Sequence, residues 1–134
     1  MPTIDKTKVL IVDDEHAIAN SLAFILDLQG FMTRTAYSGE EGVELAYRFR
    51  PDILISDVFM SGITGVEAAI RVKTRVPSCE ILLMSGNIPK VQELQDWLDD
   101  GRGFEILAKP VHPLDLLTKL RSLASSFQDP GACA

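Results

Sequence analysis

A chain of 134 residues with 46% hydrophobic and 24% charged side chains suits one soluble globular domain, and its net charge of −6 argues against nonspecific nucleic-acid binding. No apolar run approaches the ~18 residues of a membrane span. The start, Met1-Pro2-Thr3-Ile4-Asp5, lacks the charged and apolar regions of a secretory leader. Cys79 and Cys133 stand far apart without metal-type spacing, so reduced thiols and a cytoplasmic protein are expected.

The predicted elements alternate. Residues 8–12 form a continuous apolar run, as expected of a strand covered on both faces. A helix over 16–28 follows, with Ile18, Leu22, Ile25 and Leu26 at helical spacing and Gly30 as its stop. Residues 33–36 read as a more polar strand, suited to a sheet edge. Ser38-Gly39-Glu40-Glu41 is a capping-box pattern opening a helix to about Phe49, broken by Pro51. A third strand spans 53–56.

Thr64-Gly65-Val66-Glu67 is a second capping box, starting a helix with Val66, Ala69 and Ile70 on one face and Pro77 as its stop. The strand 81–84 comes next, then a short fourth helix marked by Val91, Leu94 and Leu98, with Trp97 packed on it, and a turn at Gly101-Arg102-Gly103. Strand 104–108 precedes a fifth helix opened by Pro113, its apolar face Leu116, Leu120, Leu123 and Phe127. Five strands alternating with five helices specify a doubly wound α/β domain.

Polar residues stand where the apolar runs stop. Asp13-Asp14 ends the first run, Asp57 the third, Ser85 the fourth and Lys109, followed by Pro110, the fifth. In an open parallel sheet those carboxyl ends share one edge, where ligands bind. Carboxylates gathered there invite a hard divalent cation such as Mg2+. A carboxylate is also a phosphoryl acceptor, and its obstacle is repulsion by the incoming oxygens. Bound Mg2+, a lysine ammonium and a hydroxyl donor would each offset it. Taken singly, each residue has a plainer role: Asp13-Asp14 as a helix cap, Ser85-Gly86 as a turn, Lys109-Pro110 as a loop. Together the plain reading needs four coincidences in register. His16 and His112 lack partners at ligand spacing and read as exposed loop or cap residues.

From about residue 8 to 127 the chain resembles the receiver domain of two-component response regulators. The matching pieces are Leu10-Ile11-Val12-Asp13-Asp14-Glu15, Asp57 within Asp57-Val58-Phe59-Met60, Gly65, Ser85-Gly86 and Lys109-Pro110, in the family's order and at its usual separations. The resemblance implies a flavodoxin-like five-stranded parallel sheet in the order 2-1-3-4-5. It implies phosphotransfer to Asp57 from a histidine kinase or phosphotransfer protein. It implies Mg2+ held by Asp13, Asp14, Asp57 and the backbone carbonyl of Phe59, with Ser85 sensing the phosphoryl group and Lys109 pairing with it. A downstream protein would be met by the face of the fourth helix, fifth strand and fifth helix, with Ser85, Asn87 and Ile106 as switch positions. No nucleic acid, membrane or turnover of an external substrate is expected.

The departures concern tuning. Phe59 stands where the family usually has a smaller or polar side chain, Ser61 where a proline is common, and Ile106 where many members carry an aromatic. The expected layout is an extension over 1–7, the receiver domain over 8–127 and a tail over 128–134, either a single-domain regulator or a receiver from a longer protein. Two alternatives are weaker. A haloacid-dehalogenase-like phosphatase wants aspartates at i and i+2, where this chain has Asp13 and Glu15, and a pseudo-receiver binding module has no need of the intact acidic set.

Overall fold

Strands that are apolar on both faces require cover on both sides, and helices that alternate with them supply it. The computed structural model describes residues 6–86 and 104–128, omitting side chains after 124. In chain order the elements are β1 (Lys8–Val12), α1 (His16–Leu28), β2 (Met32–Ala36), α2 (Gly39–Phe49), β3 (Ile53–Asp57), α3 (Gly65–Arg75), β4 (Glu80–Ser85), β5 (Glu105–Ala108) and the C-terminal helix Pro113–Gln128. The sheet is parallel throughout, in the order β2-β1-β3-β4-β5. The helix predicted around Val91, Leu94 and Leu98, with Trp97, Asn87 and the Gly101 turn, lies outside the described residues.

Alternation along each strand divides the core in two. Leu10, Val12, Leu54, Ile81 and Leu83 face α2 and α3, meeting Val43, Ala46, Val66, Ala69 and Val72. Val9, Ile11, Ile53, Ile55, Leu82 and Met84 face α1 and the C-terminal helix, meeting Ala19, Leu26, Leu116, Leu117 and Leu120. The more polar strand, β2, is indeed an edge, and Arg34 and Lys8 lie over the Phe49 ring beside it.

Both caps form as predicted, yet neither box closes on its own cap residue. Ser38 accepts from the Glu41 N–H and Thr64 from the Glu67 N–H, at 3.1 Å each. The Glu41 carboxylate instead takes the N–H of Tyr37, and Glu67 pairs with Arg71 one turn on. The strands are longer than the apolar runs: β2 begins at Met32, β3 reaches Asp57 and β4 runs from Glu80 to Ser85. Pairing continues past the last apolar residue, because polar residues can join a ladder: Asp57 stands opposite Met84 and Ser85 opposite Ala108. Conversely β5 begins at Glu105, one residue after the predicted Phe104.

Candidate functional site

The register places the ends of β1, β3, β4 and β5 side by side, and with them the polar residues that close those strands. Asp13 leaves β1 with its N–H donating to Ala36 O at 3.1 Å, which fixes it against the end of β2. Its carboxylate is fully buried: one oxygen accepts the Glu15 N–H at 3.0 Å, the other the Lys109 ammonium at 3.1 Å. The plain reading of the acidic pair as helix caps therefore fails. Glu15 is the N-cap of α1 and makes no side-chain cap hydrogen bond, while Asp14 stands exposed beside it.

Asp57 is the last residue of β3 and is 9% exposed. The chain leaves it in a tight turn stitched by Val58 N–H to Met84 O at 2.9 Å and Gly65 N–H to Val58 O at 2.7 Å. Glycine at 65 is required by close approach: a Cβ there would stand 2.1 Å from Asp57 O. Across the gap, Lys109 Nζ lies 3.5 Å from Asp57 Oδ1, and the Lys109 N–H donates to Ser85 O at 2.8 Å. Ser85 is buried at the end of β4. The Lys109–Pro110 peptide is cis.

Four of the predicted residues thus surround one space. Asp57, Phe59, Ser85, Gly86, Lys109 and Glu15 line an open cavity of about 250 Å3. Asp13, Asp14 and Asp57 each offer a carboxylate oxygen, all within 4.8 Å of one another. Three carboxylates so close repel one another, and an all-oxygen donor set of this charge fits a hard divalent cation. Lys109 neutralises part of that charge, and among the described carboxylates it pairs with Asp13 and Asp57.

Electrostatics follow the same arrangement. Burial raises the Asp57 carboxyl above its ordinary 3.8, Lys109 opposes the rise, and Asp13 and Asp14 add to it. Burial works against the Lys109 ammonium, but its hydrogen bond to Asp13 and the charges of Asp57 and Asp13 win, so it stays protonated above 10.5. Cys79, whose thiol burial pushes up to about 12, is a core residue remote from this chemistry.

The structure does not bring every predicted residue to the site. Ile106 is half-buried in the edge strand opposite Leu83, on the face covered by α2 and α3. Asn87 lies outside the described residues. His112 serves as a cap, its Nδ1 accepting the Leu114 N–H at 3.1 Å. His16 does more than sequence spacing showed: its ring stacks on Tyr37, with centroids 3.8 Å apart. Glu15 was also missed as a lining residue, although its place directly after the acidic pair was the available signal.

Comparison with known proteins agrees with this geometry. A family model described as the response regulator receiver domain matches residues 9–121. The chemotaxis response regulator CheY4 of Vibrio cholerae is 32% identical, covering 89% of this chain and 99% of its own, with a TM-score of 0.74. The response regulator TrrA of Thermotoga maritima, solved with Mg2+ and BeF, is 28% identical over 87% of this chain and 98% of its own, at a TM-score of 0.74. A receiver domain protein of Clostridium thermocellum aligns at a TM-score of 0.81, with 25% identity over 90% of this chain and 96% of its own.

Proposed function

This chain belongs to the response regulator receiver domain family, and we propose that its phosphoacceptor is Asp57. It is a phosphoacceptor signalling domain of two-component systems. The observation that carries the residue assignment is the convergence of three carboxylates and one ammonium, with Asp57 alone contacting Lys109 while lining the open cavity.

A donor phosphohistidine, on a kinase or a phosphotransfer protein, brings its phosphorus in line with an Asp57 carboxylate oxygen. The new P–O bond forms as the P–N bond breaks, and the departing imidazole takes up a proton from solvent. Burial strips water from the Asp57 carboxylate and favours its protonation, and Lys109 opposes that rise. Asp13, Asp14, Asp57 and the backbone carbonyl of Phe59 would hold Mg2+, which when bound supplies charge to the transferring oxygens. Lys109 exchanges a carboxylate oxygen of Asp57 for a phosphoryl oxygen, and the Ser85 hydroxyl donates to another. The product is an aspartyl phosphate, whose hydrolysis resets the domain without turnover of an external substrate.

Signal output follows from what Ser85 and Lys109 share. They are joined through backbone on neighbouring strands, so phosphoryl contacts at Ser85 and Lys109 pull on β4 and β5 together. Ile106, β-branched and shorter than an aromatic, cannot swing into vacated space as a ring does. Output from this edge of the sheet therefore rests on backbone shifts at Ser85 and Lys109 rather than on rotation of a ring.

Acetyl phosphate with Mg2+ should add one phosphoryl group to the wild type and none to Asp57→Asn, as read by intact mass. An adduct mapped to Ser56 or Ser85 in the wild type would reject the assignment.

A further inference from the structure

The helices α2 and α3 begin with side-chain caps, whereas α1, which follows the acidic pair, begins without one. The Asp13 carboxylate takes the Glu15 N–H ahead of α1, and a further hold on its first turn comes from outside the loop. The Tyr37 ring occupies that role. It stacks on His16, the first residue of α1, with planes 20° apart, and its hydroxyl donates to Asn20 Oδ1 at 2.7 Å, one turn further along the same helix. His16 and Asn20 are four apart, so both lie on the helix face that the ring covers.

Tyr37 is itself held from two sides. Its N–H donates to Glu41 Oε1 at 2.6 Å, and the residue before it, Ala36, accepts the Asp13 N–H. The chain leaving β1 and the chain leaving β2 are thus joined twice: through backbone at Asp13 and Ala36, and through rings at His16 and Tyr37. Asp14 and Glu15 lie between those two joints. With both fixed, the loop has little freedom to turn the Asp14 carboxylate away from Asp13 and Asp57.

The geometry points to Tyr37 as a positioning residue for cation binding: its ring, clamped on His16 and Asn20, orients the loop that presents Asp14. This rests on the reading that Asp13, Asp14 and Asp57 hold Mg2+. The ring does not touch the cation; it limits where the first turn of α1 can sit. Outer groups that orient metal ligands typically cost about tenfold or more in affinity when lost.

The test is Mg2+ titration of the full chain by calorimetry, with thermal unfolding of each variant alongside. Tyr37→Leu and His16→Ala should each weaken Mg2+ binding by about tenfold. His16→Phe, which keeps a ring in the stack, should bind close to wild type, and Tyr37→Phe, which keeps the stack but loses the hydroxyl bond to Asn20, should fall between wild type and Tyr37→Leu. Leu120→Val, in the core under the C-terminal helix, should lower the melting temperature without changing the affinity. Wild-type affinity in folded Tyr37→Leu, or a loss in Leu120→Val matching its loss of stability, would overturn the inference. Asp14→Ala separates the two layers: if it binds Mg2+ as the wild type does, the assignment of the cation ligands fails, whereas its loss together with an unaffected Tyr37→Leu refutes only the role of Tyr37.

Discussion

The two sides of the site are built differently. On the acceptor side, β1 and β3 are buried in the middle of the sheet, and Asp57 sits in a turn so close that Gly65 lies against its backbone. On the sensor side, Lys109 follows an edge strand, β5, whose four residues are exposed or half-buried, and among the described residues a Cβ on Gly86 would approach nothing nearer than the Lys109 Cβ at 3.9 Å. The acceptor is fixed by steric confinement, whereas Lys109, which answers it, is held by its backbone bond to Ser85 and by charge. A switch needs that asymmetry: a nucleophile that stays still and respondents with room to shift.

The sharpest way to break the comparison is to add the same methyl group on each side. Gly65→Ala should destabilise the fold by about 3 kcal/mol, because its Cβ would collide with Asp57 backbone that cannot retreat, and phosphoryl uptake should fall with it. Gly86→Ala should change stability by less than about 0.5 kcal/mol. Denaturant unfolding of the two variants measures both, and equal losses would mean that the sides are equally confined.

A smaller effect tests the charge on the acceptor side. With the Asp57 carboxyl raised by burial, the folded state holds this proton more firmly than the unfolded chain does. Its contribution is thus fully present below 3.8 and is lost as pH rises through the raised folded value. Asp57→Asn removes that loss, so without Mg2+ the variant should melt above the wild type at neutral pH. The gap should close as pH falls toward 3.8. Paired melting curves across that range check it, and a variant that melts lower at neutral pH would show that Lys109 needs Asp57 more than burial penalises it.

The smallest expected change concerns the residue between the two sides. Phe59 lines the cavity with Asp57, Ser85 and Lys109, and its ring offers no group to orient an attacking water. Phe59→Asn should shorten the life of the phosphorylated state by a small factor without altering its formation. Decay of the phosphorylated mass after removal of donor decides this, and an unchanged or slower decay would contradict shielding by the ring.

Much of this molecule was legible before its structure. Period-two burial hidden in continuous apolar runs, two caps and the polar strand β2 gave the parallel sheet and its edge, because those features depend on near neighbours in the chain. The strand ends gave Asp13, Asp14, Asp57, Ser85 and Lys109, since topology places all carboxyl ends of a parallel sheet on one edge. Other features depend on which distant residues meet. That Lys109 would bridge Asp13 and Asp57, 96 positions from the first, is set by the register of β4 on β5. That Glu15, and not an aspartate, would stand at the N-cap position of α1 goes with Asp13 turning inward to the lysine. The stack of His16 on Tyr37 joins two loops that local sequence treats as separate, and only the packing of α1 against the end of β2 brings those rings together.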